Sequence, residues 1–469
     1  MVAEKVLSTA EVAAEAGIHR DTLLRWLRQK LIPEPRRDRH GWRVFSSKQA
    51  DDVVAFAKSA QPGDTSVVRE EPGIQQTVAR LQQIDWDFRN AKTSYLTHSV
   101  HPYPAKFIPQ IPNALIQEFS TVGDTIGDIF CGSGTTLVEG LLLKRHVVGV
   151  DANPLACLIA AAKTTRLEIG DKALLAALGA RAVQLACEIA PDDNLRLFGG
   201  PKFASAAPRP TGKAIAFWFE PFVVEELAEI LSWCRALPTE SARNVALASF
   251  SAIIVNVSNQ DSDTRYVRRK KKLKPGDTLH RFAQALAENS AAAERLTDIV
   301  EPHLTCRIIN ADVLSHPSIP HVSLVVCSPP YPNAYSYHLY HMTRMVWLGL
   351  DQPSFKRVEI GSHRKFSSKS SNGATIETFA AEMKSVFGWL RTVVRPGGHA
   401  CFVVGNSVIR GKVHDNAKIL RAAAIDAGFS HVAQLDRKLK DTAKAFNPKI
   451  GKIKTESILV FANSQSLYT

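Results

Sequence analysis

The chain has 469 residues, 45% of them hydrophobic, and a formal net charge of +13. That length predicts two or three domains rather than one core, and the charge suits a polyanionic partner. No run of about 18 apolar residues occurs, which argues against a transmembrane helix. The seven cysteines include no Cys-x-x-Cys pair, which argues against a zinc site, so no metal is expected. Free, scattered cysteines and the lack of a secretory core after Met1 predict a cytoplasmic protein.

In chain order, Ser8-Thr9-Ala10-Glu11 is a capping box. It predicts a helix from Thr9 to Ala16 that stops at Gly17. A second helix, from about Arg20 to Leu31, carries Arg20, Arg25 and Arg28. The segment 36–45 reads as a short basic hairpin containing Arg43, and a third helix runs from Ser47 to Lys58. Helix, glycine turn and helix form a layout whose second helix enters a major groove. With the hairpin in the wing position, residues 1–60 resemble the winged helix-turn-helix module of the mercury-resistance regulator class. A bland alternative is a helical cap on a following domain. A polar stretch, 61–84, is expected to be a linker.

Residues 124–140 predict a short strand ending near Asp128, then a turn, Gly132-Ser133-Gly134, and a helix from Thr135 or Thr136. A second strand, 146–150, ends in Asp151, about 20 positions past the turn, where an acid can bind ribose hydroxyls. Leu137 stands where the dinucleotide fingerprint needs its third glycine, and no P-loop Lys-Ser/Thr follows. Asp128 and Phe130 suit a ligand with an ammonium and an adenosine.

An insertion, 166–300, reads as mostly helical, over 171–189, 221–237 and 277–299. It contains a basic run in which Arg265, Arg268, Arg269, Lys270 and Lys271 are candidate phosphate contacts beside Tyr266. The alternative is a solvated loop. Trp218 and Phe219 read as core. A strand from Thr305 to Ile309 leads to Asn310-Ala311-Asp312. An apolar strand, 322–326, then leads through Cys327 to Ser328-Pro329-Pro330-Tyr331. That tetrad has what methylation of an exocyclic base amine needs: a hydroxyl and a stiffened carbonyl to localise the nitrogen lone pair, and an aromatic face for an extruded base. No cysteine follows a proline, so a covalent thiolate route is not expected.

The combination of Asp128-x-Phe130-x-Gly132-x-Gly134-Thr135-Thr136, Asp151, and Ser328 to Tyr331 resembles the S-adenosylmethionine-dependent DNA amino-methyltransferases. The Ser form of the tetrad is similar to the cytosine-N4 enzymes; the adenine-N6 enzymes more often carry Asp or Asn there. His101 to Pro109, Arg395 to Asn406 and Glu456 to Phe461 are similar to further segments of that family. The resemblance implies an α/β fold: a doubly wound, Rossmann-like methyltransferase sheet with a helical insertion, behind the small N-terminal domain. Residues 85–165 would form the cofactor-binding half and 301–469 the catalytic half. S-adenosyl-L-methionine would be the cofactor, held by Asp128, Phe130, Gly132, Gly134, Thr135, Asp151 and Asp312. Ser328, Pro329, Pro330 and Tyr331 would act on a cytosine N4 flipped from double-stranded DNA, with a cognate restriction endonuclease as a further partner. Adenine-N6 methylation and an S-adenosylmethionine-sensing regulator are the alternatives. Both the insertion and the segment after Trp347 qualify as the reader of the target.

Overall fold

The computed structural model describes residues 6–17, 23, 26–27, 32–37, 43–59, 74–106, 108–189, 203, 208–263, 265–368, 373–439 and 455–464. The chain divides into two compact units, residues 1–72 and 73–469.

In the first unit β1 (Val6–Ser8) precedes α1 (Thr9–Glu15). Ser8 caps the helix as expected, its Oγ accepting from Glu11 N at 3.3 Å while Glu11 Oε2 accepts from Ser8 N at 2.7 Å. β2 (Arg36–Arg37) pairs antiparallel with β3 (Arg43–Ser46), and α2 (Ser47–Ser59) follows. β1, absent from the sequence reading, adds to β3. Leu23, Trp26 and Leu27 are helical and buried. Arg20, Arg25 and Arg28 lie outside the described residues, and Arg43 is paired with Glu34 at 2.7 Å.

The larger unit opens with α3 (Ile74–Gln82), within the expected linker. This corrects the linker boundary. Ile74, Val78 and Leu81 recur at helical spacing, Leu81 is fully buried, and Arg80 bridges to Glu118. Then follow α4 (Gln110–Phe119), β4 (Thr125–Asp128), α5 (Thr135–Leu142), β5 (His146–Asp151) and α6 (Pro154–Thr164). The insertion contributes α7 (Ile169–Ile189), α8 (Lys213–Trp218), α9 (Pro221–Arg235), α10 (Glu240–Val257), β6 (Gln260–Ser262), β7 (Arg265–Arg268) and α11 (Asp277–Thr297). β8 (Cys306–Asn310) and β9 (Val322–Cys327) return to the sheet. Short helices α12 (Tyr337–Tyr340), α13 (Met342–Leu348), α14 (Gln352–Val358) and α15 (His363–Phe366) precede α16 (Ile376–Val393). The chain continues through β10 (Val394–Gly405), a hairpin of β11 (Ser407–Ile409) and β12 (Lys412–His414), α17 (Asn416–Asp426), β13 (Ser430–Lys438) and β14 (Thr455–Ala462).

Among the described residues, seven strands form one sheet in the order β13-β14-β10-β9-β4-β5-β8. The run from β10 to β8 is parallel, and β14 is antiparallel to both of its neighbours. Both faces are covered, so the central strands are apolar throughout. Leu324, Val326, Cys401 and Val403 join one core with α4 and α5, while Val325, Cys327, Phe402 and Val404 join the opposite one with α16 and α17. The insertion builds a third core with α6, Trp347 and Leu348, in which Trp218 and Phe219 are buried.

Strand order determines where a ligand can sit. From β4 the chain goes first to β5 and β8 on one side, then to β9 and β10 on the other. In such sheets the crevice lies beyond the carboxyl ends of the strands where the order reverses, here between β4 and β9.

Candidate functional site

β4 and β9 are adjacent and parallel, with Gly127 level with Val325. The turn after Asp128 and the turn at Ser328 therefore leave the sheet at one edge, from strands about 4.8 Å apart. On the other side of β4, Gly149 pairs with Asp128, and beyond it Asp151 pairs with Asn310. Asp128, Asp151 and Asp312 thus lie along one rim.

The glycine turn is held from two sides. Gly132 and Gly134 have φ of 48° and 78°, which glycine adopts without penalty. A side chain at 134 would meet Ala160 at 3.0 Å, so that glycine also lets α5 pack on α6. Asp151 is the second clamp: its Oδ2 accepts from Gly132 N and its Oδ1 from Asn153 N, both at 2.8 Å. Burial pushes its carboxyl up to about 6 against those two amides. Asp128 is 1% exposed, and burial raises it to about 7, opposed by the nearby Thr136 hydroxyl and by the Phe130 amide, which donates to its Oδ1 at 3.1 Å. Its Oδ2 is buried without a hydrogen-bond partner. Asp312 Oδ1 caps the following turn at Leu314 N, 3.0 Å. Thr135, expected at the ligand, is buried at the start of α5. Thr136 Oγ1 donates to Val326 O at 3.1 Å, tying the glycine turn to β9.

An aromatic group that sequence reasoning did not assemble stands over this rim. Tyr103 lies against Gly132 and stacks on Tyr337 and His341, with centroids 5.9 and 5.1 Å away. Its hydroxyl accepts from Asn153 Nδ2 at 3.5 Å. Tyr103 belongs to the His101 to Pro109 segment, but Tyr337 and His341 carry no sequence signal. Glu359, buried, fixes this group by accepting from Tyr337 N and pairing with His338 Nδ1.

In the second turn Ser328 and Tyr331 are half-buried and Pro329 is buried. Tyr331 Oη donates to Glu456 Oε1 at 3.0 Å and also approaches Val403 O at 3.4 Å. Glu456 is held in turn by Arg437 at 2.9 Å. Ser328 Oγ then donates to the Tyr331 oxygen, over a long 3.5 Å. A hydroxyl has one proton and two lone pairs; with the proton directed at Tyr331, Ser328 presents acceptor capacity to the crevice. Gly361, also unforeseen, braces the loop: its φ is 73°, and a β-carbon there would lie 2.9 Å from Tyr331 O and 3.0 Å from Pro330 O.

The candidate phosphate contacts divide. β6 and β7 form an antiparallel hairpin rather than a loop. Arg268 lies over Phe217 at 5.1 Å and donates to its carbonyl at 2.8 Å. Lys271 Nζ donates to Val255 O at 2.5 Å, satisfying a carbonyl in the last turn of α10, and burial lowers its pKa. Arg269 and Lys270 remain outward, with side chains 78% and 76% exposed and loose pairings at 3.6 and 4.0 Å. The side chain of Arg265 lies outside the described residues. The two candidate target readers are packed together: buried Arg344 of α13 donates to Ser251 O and pairs with Asp263, and Arg235 donates to Leu348 O.

Among the described residues no group of three His, Cys, Asp or Glu could hold a metal ion, and no helix is long and apolar enough to cross a membrane.

Residues 24–162 match a family model of the N6/N4 methyltransferase type, described as DNA methylase. This span contains the glycine turn and Asp151 but not Ser328 to Tyr331. The chain is 31% identical over 175 residues to the type II methyltransferase M.MvaI of Kocuria varians, covering 37% of each chain. It is 38% identical over 93 residues to the type II methyltransferase M.MjaII of Methanocaldococcus jannaschii, covering 19% of this chain and 17% of that one. The chain therefore spans well under half the length of these relatives. A putative DNA modification methylase from Thermus thermophilus, solved with S-adenosyl-L-methionine, aligns at 20% identity over 34% of this chain and 56% of its own, with a TM-score of 0.22.

Proposed function

We propose that this protein is a DNA methyltransferase that moves a methyl group from S-adenosyl-L-methionine to the exocyclic N4 amine of a cytosine extruded from duplex DNA. One observation carries the reading: a turn suited to an ammonium and a ribose leaves β4 beside an amine-positioning turn that leaves β9, at the point where the strand order reverses.

The cofactor fits this rim. The orphaned Asp128 Oδ2 would take its ammonium, the remaining lone pairs of Asp151 would take the ribose, and Asp312 and Phe130 would take the adenosine. When bound, S-adenosyl-L-methionine would supply an electrophilic methyl group and leave as the neutral thioether, and the methylated amine would give up its extra proton to solvent. Ser328 Oγ and the Pro329 carbonyl accept the two hydrogens of the base amine and draw its lone pair out of conjugation. The Pro329-Pro330 backbone, braced by Gly361, keeps that carbonyl fixed. The half-buried Tyr331 ring gives the base a face to stack on. Holding donor and acceptor in line supplies the rate, so no covalent intermediate or metal is needed. Ser at position 328 supports cytosine over adenine through the likeness of the Ser form of the tetrad to the cytosine-N4 enzymes. The N-terminal unit adds DNA affinity, and the type II names of the relatives support a role in restriction-modification with a cognate endonuclease.

Two variants separate the halves of the site. Asp151→Ala should weaken cofactor binding by about 1.5–3 kcal/mol, the worth of hydrogen bonds to a charged group. Ser328→Ala should keep cofactor affinity and lose transfer to DNA. Calorimetry showing wild-type affinity in Asp151→Ala, or full transfer by Ser328→Ala, would remove these assignments.

A further inference from the structure

A cleft of about 580 Å³ opens beside the catalytic loop, lined by Asn333, His363, Phe366, Ser367 and Arg410. It shares no residue with the glycine turn. One wall is α15; the other is the β11–β12 hairpin. Asn333 joins the cleft to the loop: its N donates to Gly361 O at 3.0 Å and its Nδ2 to Val408 O at 2.7 Å. Asn333 stands two positions along the chain from Tyr331.

The hairpin turn is Arg410-Gly411, since Ile409 pairs with Lys412. Both turn residues have positive φ, 50° and 79°, the geometry of a type I′ turn. Asn, Asp or Gly suits the first position; arginine has no conformational advantage there. What it contributes is an exposed guanidinium at the mouth of the cleft. Among the described residues Arg410 makes one hydrogen bond, to Ser368 O at a long 3.4 Å. Lys412 and Arg364 are exposed nearby on the two walls. The acids beside the hairpin are Glu377, near His414 and Lys412, and Asp415, which caps α17 by accepting from Lys418 N at 3.0 Å. The mouth therefore stays positive.

We propose that this cleft seats the phosphodiester backbone next to the extruded nucleotide, with the Arg410 fork on a phosphate. The proposal rests on the DNA methyltransferase reading and adds to it a strand-binding site in the segment after Trp347. Through Asn333 the cleft adjoins the loop that carries Ser328 and Tyr331, and guanidinium is the group best shaped to bind a phosphate of a nucleotide held there.

The test uses the full-length protein, mixed plasmid DNA and two variants. R410N keeps a residue that tolerates the left-handed turn, and R410K keeps the charge without the fork. Methyl transfer and DNA binding are measured across a salt series, with cofactor affinity by calorimetry. R410N should raise KM for DNA about tenfold or more, with cofactor affinity unchanged. It should also flatten the salt slope of log K by about 0.9, one phosphate contact. R410K should recover the slope and part of the KM. A wild-type protein that methylates DNA, with an R410N variant matching its KM and slope, overturns the proposal and leaves the enzyme assignment standing. Loss of cofactor binding in R410N overturns it too, because the turn would then be structural. If the wild type transfers no methyl group to DNA, both readings fall.

Discussion

The Tyr331 hydroxyl is bound to the sheet through Glu456, and that bond leaves its oxygen to accept from Ser328. Tyr331 thus does two things, one with its ring and one with its oxygen, and removing the oxygen alone separates them. Tyr331→Phe should slow single-turnover transfer roughly five- to tenfold, the worth of one hydrogen bond, with stacking retained. An unchanged rate would leave the ring as the working part. The rim carboxyls predict a pH dependence. Asp128 and Asp151 are raised from 3.8 to about 7 and about 6 by burial. Both hold protons in the folded apoprotein at pH values where the unfolded chain has lost them. Stability from these groups is therefore present at low pH and declines as pH rises through 6 to 7. A cationic cofactor favours their ionised forms, so its binding should release protons and tighten over the same window. Affinity that is flat from about pH 5.5 to 8, with no proton release between buffers of different ionisation enthalpy, would contradict this. The residues of this network were unequally legible in the sequence. Asp128, Gly132, Asp151 and Ser328 stand at strand ends marked by turn residues, a local signal. Glu456 lies 125 residues from Tyr331, and Gly361 and Glu359 act through contacts that only the fold brings together.

Among the elements, the parallel strands were readable because two-sided burial makes them short, continuous apolar runs. α10 was missed for the opposite reason: Val245, Phe250, Ile254 and Val257 are all buried, along with most of the helix, so no polar face marks its period. α3 reads as part of a linker because its neighbours are polar. The basic run shows why a charge block cannot be assigned from sequence alone. Arg268 and Lys271 complete the hairpin and cap α10, while Arg269 and Lys270 point outward. Reversing charge at Arg269 and Lys270 should weaken DNA binding and flatten its salt dependence without unfolding the protein. Arg268→Ala should instead lower the melting temperature, for a loss of about 1 kcal/mol. An unchanged salt slope in the first variant would make the block a solvated edge.

At the scale of the molecule, every candidate cofactor and base residue falls in the unit spanning 73–469, and the unit spanning 1–72 contains none of them. Deleting residues 1–60 should therefore leave S-adenosyl-L-methionine binding intact while weakening DNA binding and relaxing sequence preference. A folded truncation that methylates the same sites at the same rate across a salt range would make the N-terminal unit a docking module or a cap. Mixed plasmid DNA should be incubated with the pure full-length protein and S-adenosyl-L-methionine, digested to nucleosides and analysed by mass. The account predicts N4-methylcytosine. N6-methyladenine alone would reject the base assignment and retain the enzyme class; DNA without any added methyl group would contradict the account as a whole.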